Sequence, residues 1–366
     1  MAMKLIFAGG GTGGHIFPAI AIANALRKLD PTIEILFVGA KGKMEMEKVP
    51  QAGYPIEGLD IAGFNRSSLL KNIWLPFKLI KSFFQVRRIF SGFHPDAVLG
   101  VGGYSSFPVL RLAQQRGIRS FIHESNSFAG KSNILLGKRA TRIFVASEGM
   151  EKFFPKEKIL VTGNPVRAAI TQIHAGREEA LKFFDLQPER KTVLAVGGSL
   201  GAKSINEALD SALNGFEEKG IQLIWQTGKM YAARAAEAAK NKTGVYSSPF
   251  ISEMDFAYAA ADVVISRAGA MAIAELCVLG KPAILVPYPF AAEDHQTANA
   301  MNLVNHNAAI MVKDGETKEK LVSITLDLVN DKNRIEELSG NIKKMGVSDA
   351  DARIAMEIME QVKSGS

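Results

Sequence analysis

Residues 4 to 26 read "KLIFAGGGTGGHIFPAIAIANAL", an apolar run, a glycine turn with Gly13 and Gly14 at its end, a histidine, and a helix-length stretch. A glycine turn after a strand lets backbone approach a phosphate. The following helix adds free N–H groups and the positive end of its dipole. Two more such turns occur, "AVLGVGGYSSFP" at 97–108 and "GGSLGA" at 197–202. One turn alone could be a tight bend and nothing more; three after strands suggest a phosphate-rich ligand. His15 sits at the start of the first helix, where an imidazolium is disfavoured. A neutral imidazole beside a phosphate site can act as general base, although it could also simply hydrogen-bond backbone. Gly9, Gly11 and Gly14 also satisfy G-x-G-x-x-G. The dinucleotide reading of that spacing needs an acid at the end of the second strand to hold ribose hydroxyls. The second strand ends "LFVGAKGK", with Asp30 and Glu34 too early and Glu45 and Glu47 beyond a glycine- and lysine-rich turn. This argues against a nicotinamide enzyme.

Short β-branched runs alternate with helix-length stretches along the chain. Candidate strands are 4–8, 33–38, 96–101, 120–123, 142–146 and 159–163, then 192–196, 221–226, 262–266, 282–286 and 308–312. Alternation of this kind predicts parallel sheets built from right-handed crossovers and covered on both faces. "TVLAVGGSLGAKSINEALDSAL" repeats the plan of the opening stretch, so the fold class is α/β with two Rossmann-like domains. The junction is expected at "TGNPVR", where Pro165 holds Asn164 extended. This gives an N-terminal domain at 1–163, a C-terminal domain at 164–340, and a helical tail at 341–366 that returns to the first domain.

The chain has 366 residues, 47% of them hydrophobic, which suits two ordinary globular cores. One cysteine, Cys277, permits no internal disulfide and fits a reducing compartment. It lies in "AELCVLG" and reads as a packing residue. The opening "MAMKLIFAGGG" does not read as a signal peptide. No run approaches the roughly 18 apolar residues of a spanning helix. The net charge of +7 favours anionic partners. Residues 61–95 contain no Asp or Glu but hold Arg66, Lys71, Lys78, Lys81, Arg87 and Arg88. The basic residues form no nucleic-acid motif or stacking platform, and no metal-ligand cluster is evident.

The motifs "GGGTGGHIFPAIAIANAL", "GVGGYSSFP", "HESNSFAG", "TGNPVR", "GGSLGA", "SRAGAMAIAEL" and "PAILVPYPFAAEDHQTANA" occur in this order over nearly the whole chain. Together they closely resemble the MurG family, peripheral membrane N-acetylglucosaminyltransferases of peptidoglycan synthesis. The resemblance implies a GT-B fold, two Rossmann-like domains with parallel sheets facing across a cleft. It implies inverting transfer of N-acetylglucosamine from UDP-N-acetylglucosamine to the 4-hydroxyl of N-acetylmuramoyl-pentapeptide on undecaprenyl diphosphate, lipid I to lipid II, without a cofactor or an obligatory metal. Backbone amides and helix dipoles can supply the charge stabilisation.

By resemblance, the second half holds the donor. Arg167 and Ser199 would meet its diphosphate region and Ile251 would present backbone to uracil. Ala270, Met271, Ala272, Ile273 and Ala274 would place a helix N-terminus near phosphate. Glu275 would accept from both ribose hydroxyls, and Gln296 and Asn299 would read sugar hydroxyls. In the first half, Thr12, Gly13, Gly14 and Asn126 would approach the donor sugar and diphosphate. Gly102, Gly103, Tyr104, Ser105 and His123 would lie on the acceptor side. His15 is the first choice for base and Glu124 the second. Leu200 and Ser125 stand where the family pattern has glutamine.

Residues 71–90 mix Trp74, Phe77, Phe83, Phe84 and Phe90 with five basic residues. With Lys78 and Lys81 beside them, Trp74 and Phe77 are expected to be exposed and to meet an anionic membrane surface. The expected location is peripheral, on the cytoplasmic face of the inner membrane, where other cell-wall synthesis proteins are possible partners; nucleic acid is not. The alternatives are a UDP-sugar epimerase of the same architecture and a binding protein without turnover. The acid-free amphipathic segment speaks against the first. The His15, Glu275 and Gln296 set speaks against the second.

Overall fold

The structure, a computed structural model, describes residues 2–63, 73–167, 170, 175–198 and 200–364. The chain divides into two compact units, Met1–Val166 with Asp349–Ser366, and Arg167–Ser348. The boundary falls after Val166 where the sequence suggested Gly163. Residues 341–348, expected in the tail, stay with the second unit, because the helix Lys332–Lys344 packs on the helix Ala270–Leu279.

In the first unit the described strands are β1 (Lys4–Ala8), β2 (Glu34–Ala40), β3 (Ile56–Leu59), β4 (Ala97–Gly100), β5 (Arg119–Glu124), β6 (Arg142–Val145) and β7 (Ile159–Val161). They pair in parallel in the order β3-β2-β1-β4-β5-β6-β7. The second unit contains β8 (Thr192–Val196), β9 (Gln222–Gln226), β10 (Val245–Ser248), β11 (Val263–Ser266), β12 (Ala283–Leu285) and β13 (Ile310–Met311). Its order, β10-β9-β8-β11-β12-β13, repeats the first, also in parallel. In each sheet the strand order reverses beside the opening strand. Ligands of doubly wound sheets bind at the carboxyl ends of the strands at that point. The first two glycine turns follow β1 and β4, and the third follows β8, so all three lie at these switch points.

Alternating residues of the first sheet feed two cores. Leu5, Phe7, Leu99, Phe121 and Phe144 pack under the helix Gly13–Leu29 and the C-terminal helix Ala350–Lys363. Ile6, Ala8, Val98 and Ile122 pack under Val86 and Phe90 of the helix Leu75–Phe93 on the other face. The C-terminal helix buries Ile354, Ala355, Ile358 and Val362. Arg142 Nε donates to Glu357 Oε1 at 2.8 Å, and Arg119 donates to the Val362 carbonyl at 2.9 Å. Three large buried aliphatic side chains at about 1.5–3 kcal/mol each make this helix an integral part of the first core. Cys277 is buried, and burial pushes its thiol up to about 12. Two strands were missed by the sequence reading, β3 and β10. Both are sheet edges, and neither is buried throughout.

Candidate active site

At the switch point of the first sheet the two glycine turns touch. A Cβ on Gly103, whose φ is +82°, would lie 2.6 Å from the Gly10 carbonyl oxygen. A Cβ on Gly102 would lie 2.8 Å from His15 Nε2. Only glycine permits this approach. His15 Nδ1 lies 3.0 Å from the Gly10 carbonyl oxygen. A carbonyl can only accept, so Nδ1 carries the proton and Nε2, facing Gly102, keeps its lone pair. That is the tautomer a general base needs. The helix Gly13–Leu29 starts directly behind the turn, with Thr12 as its extended N-cap and no side chain capping it.

The first turn differs from a phosphate cradle in one respect that the sequence did not disclose. Glu45 folds back under it and is buried. Its Oε2 accepts from the Gly11 N–H at 2.8 Å and its Oε1 from the Ala40 N–H at 3.0 Å. A Cβ on Gly10 would collide with the same carboxyl. Gly9 N–H is also committed, to the Val38 carbonyl at 3.1 Å. Two amides of the turn expected to face a diphosphate, those of Gly9 and Gly11, are thus occupied, one of them by a carboxylate. Of the first-half residues expected near phosphate, Gly13 and Gly14 open the helix, and Thr12 is exposed.

After β4, Tyr104 packs against Gly63, and burial raises its phenol. Ser105 and Ser106 are buried, and Ser106 Oγ donates to the Gly103 carbonyl at 2.8 Å. His123, near the end of β5, is buried, and neither ring nitrogen makes a hydrogen bond among the described residues. Burial brings its pKa down to about 4, with the neighbouring His15 acting in the same direction. Glu124 accepts four bonds. Asn126 N (3.1 Å) and Nδ2 (3.2 Å) bond Oε1; Gly130 N (3.1 Å) and Asn133 Nδ2 (2.8 Å) bond Oε2. A buried carboxylate with its lone pairs occupied is a clamp for the 124–133 loop, which disfavours Glu124 as the second candidate base. Ser125 contributes its carbonyl to Asn164 Nδ2 at 2.9 Å.

In the second unit a cavity of about 860 Å³ opens at the carboxyl ends of β8 and β11. Gly197, Gly198 and Gly201 of the third turn, Gly269 and Ala272 at the start of the helix Ala270–Leu279, and Gln296 line it. Of the expected donor residues, Ala270, Met271, Ala272, Ile273 and Ala274 form the first turns of this helix. Ser199 lies outside the described residues. Gln296 Oε1 accepts from Tyr288 N–H at 2.9 Å. Asn299 is buried, its Nδ2 donating to the Ala268 carbonyl at 3.2 Å. Leu200 is exposed on the rim.

Arg167 and Glu275, expected at different parts of the donor, form an ion pair. Nε and Nη2 each lie 2.8 Å from Oε1. Tyr258 donates to Oε2 at 3.1 Å and was not singled out from sequence. Burial raises the Glu275 carboxyl, while Arg167 and Tyr258 oppose that shift. Gln226, at the end of β9, was also missed. Its Nε2 donates to the Gly198 carbonyl at 3.2 Å and its Oε1 accepts from Ile251 N–H at 3.1 Å. The Ile251 N–H is therefore occupied. Arg267 bonds the Val286 and Pro287 carbonyls at 3.1 and 3.2 Å and pairs with Asp314. No cluster of three or more potential metal ligands occurs among the described residues.

Apart from these sites, the helix Leu75–Phe93 turns Ser82, Val86 and Phe90 inward. It exposes Phe77, Ile80 and Phe84, with Ile73 and Trp74 exposed just before it. Trp74 and Phe77 are 64% and 63% exposed, as the sequence suggested. Phe83 instead packs edge-on against Phe107. Lys78 is exposed, and Lys81 pairs with Asp60 at 2.9 Å. Arg66 and Lys71 lie outside the described residues. No described helix is long and apolar enough to cross a membrane.

Residues 5–145 match the glycosyltransferase family 28 N-terminal domain, and residues 192–354 match the family 28 C-terminal domain. The chain belongs to glycosyltransferase family 28. Family 28 relatives include a protein of Phocaeicola vulgatus, 51% identical over 98% of this chain and 96% of its own. A Parabacteroides distasonis protein is 50% identical over 98% of both. Each is named UDP-N-acetylglucosamine–N-acetylmuramyl-(pentapeptide) pyrophosphoryl-undecaprenol N-acetylglucosamine transferase. The crystal structure of Acinetobacter baumannii MurG matches with a TM-score of 0.81 at 28% identity, over 98% of this chain and 99% of that one. A UDP-N-acetylglucosamine 2-epimerase matches with a TM-score of 0.67 at 16% identity over 100% and 96%, a likeness of fold alone. The fold is GT-B, and this family 28 member is a glycosyltransferase.

Proposed function

We propose that the chain transfers N-acetylglucosamine from UDP-N-acetylglucosamine to the 4-hydroxyl of N-acetylmuramoyl-pentapeptide carried on undecaprenyl diphosphate. The observation that carries this reading is His15. Its Nδ1–H is fixed on the Gly10 carbonyl and its Nε2 lone pair is free to take a hydroxyl proton. A nucleotide-binding loop alone would not require that arrangement. The 50% and 51% identical relatives named for this reaction support the choice of substrates.

The step balances as follows. The acceptor hydroxyl gives its proton to His15 Nε2, and its oxygen bonds the anomeric carbon from the face opposite UDP. The bond from that carbon to the diphosphate oxygen breaks, and its electron pair leaves with UDP, giving inversion. The third glycine turn and the N-terminus of the helix Ala270–Leu279 stabilise the departing charge. The Glu275 carboxylate, with Arg167 on Oε1 and Tyr258 on one lone pair of Oε2, accepts a ribose hydroxyl on the remaining lone pair of Oε2. Arg167, held on Glu275 Oε1, reaches the diphosphate with its remaining N–H groups. Gln296 and Asn299 read the sugar. Thr12, Gly13, Gly14 and Asn126 are the first-unit residues assigned to the donor, and Glu124 holds the Asn126 loop.

The apolar stripe Trp74, Phe77, Ile80 and Phe84, with Lys78 beside it, suits peripheral attachment to the anionic cytoplasmic leaflet. Incubation with labelled UDP-N-acetylglucosamine and a lipid I analogue tests the reaction. The expected product is the disaccharide lipid. Conversion of the sugar nucleotide without an acceptor would instead favour the epimerase reading. Binding of the Trp74→Ser/Phe77→Ser protein to anionic vesicles tests the attachment; unchanged binding removes the stripe from the reading.

A further inference from the structure

Glu45 is the buried carboxylate that the transfer step described above leaves unused. It lies at the start of the helix Glu45–Gln51, after β2, and reaches across to the turn that follows β1. Both of its oxygens accept from backbone N–H groups, Gly11 and Ala40. The residue it presses on, Gly10, supplies the carbonyl that holds His15 Nδ1. We propose that Glu45 is a positioning residue for His15: it pins the first glycine turn so that the Gly10 carbonyl fixes the base tautomer.

The electrostatic sign supports this. An anion-binding turn aims its amides at the ligand and keeps carboxylates away. Here Gly11 N–H serves a carboxylate. The other titratable groups near the turn bring no opposing charge. His123, on β5, acts electrostatically on the same site as His15, and burial keeps it neutral above about pH 4. Tyr104, after β4, feels Glu45 and has its phenol raised. The proposal rests on His15 acting as base, and the experiment separates the two.

Nitrogen-15 spectra of the histidine side chains in the full chain should show His15 as the single Nδ1–H tautomer. Glu45→Gln leaves one backbone N–H facing an amide NH2. In that variant the tautomer should become mixed, and kcat should fall about tenfold with the donor KM unchanged. Glu45→Asp should restore part of each change. A single unchanged tautomer in Glu45→Gln overturns the proposal. If that variant does not fold, wild-type protein titrated with inorganic pyrophosphate decides. The Gly11 amide should stay still while amides of residues 197–202 shift; a shift at Gly11 overturns the proposal. His15→Ala probes the other reading. Full turnover there removes His15 as base, whereas the tautomer result reports the Glu45 contact by itself.

Discussion

Under the glycine turn after β1 lies the Glu45 carboxylate; beside the turn after β8 lies the Gln226 amide. The two occupy related places, since Glu45 follows β2 and Gln226 ends β9, each strand the neighbour of its unit's opening strand. Both groups tether the turn. They differ in charge, and the ligands assigned to the two ends differ accordingly. Near the third glycine turn, Glu207 is matched to Lys203 at 3.7 Å and Asp314 to Arg267. A neutral tether leaves room for a diphosphate. A charged one suits a base that becomes positive during the reaction. A repeated fold thus places equivalent loops, with a carboxylate tethering one and an amide the other.

The largest way to break this comparison is to remove the base. His15→Ala should lower turnover about 10²–10⁴-fold while donor affinity, measured by calorimetry, stays unchanged; lost affinity alone would make His15 a ligand contact. Glu275→Ala should weaken UDP binding by about 1.5–3 kcal/mol, the loss of one hydrogen bond to a charged group. Because burial raises the Glu275 carboxyl, wild-type UDP affinity should decline on acidification from above the ordinary carboxylate range. Calorimetry across pH checks both. A third test concerns His123, which has no counterpart among the described histidines of the second unit. Its folded pKa of about 4 lies below the ordinary 6.5. The unfolded chain therefore binds the proton first, and stability falls as pH drops from about 6.5 to 4, by roughly 3 kcal/mol. Protection factors in β1, β4 and β5 should fall over that window, and His123→Phe should flatten the loss. The smallest effect is expected from Gln226→Glu, which copies the first unit's charge into the second. Its new oxygen would face the Gly198 carbonyl, and UDP affinity should fall about tenfold. Unchanged affinity would mean that the tether's charge does not matter.

Much of this was legible before the structure. Strand–glycine–helix alternation carried the two units, and the missing acid at the end of β2 ruled out a ribose site there. The same acid test hid Glu45, which was weighed for a ribose role alone; sequence spacing does not disclose that a residue 34 positions away folds under Gly11. Gln226 and Tyr258 were invisible for a similar reason, since their partners Gly198, Ile251 and Glu275 are brought to them by strand pairing and helix packing. β3, "IEGL", and β10, "VYSS", carry polar residues because sheet edges are open on one side. The periodicity of residues 75–93 told that a helix had two faces. It could not tell that Phe83 would find Phe107 while Phe84 stayed in solvent.

The helix Ala350–Lys363 gives the chain an order of assembly. The first unit begins synthesis first, but Ile354, Ile358 and Val362 of its core are made after all of residues 167–348. The second unit, an uninterrupted stretch, has its whole sequence available while the first is still incomplete. The first unit's core therefore closes only with residues made after the whole of the second unit. The apolar floor beneath the helix Gly13–Leu29 stays uncovered until the last turns emerge, the interval in which a chaperone would have most to hold.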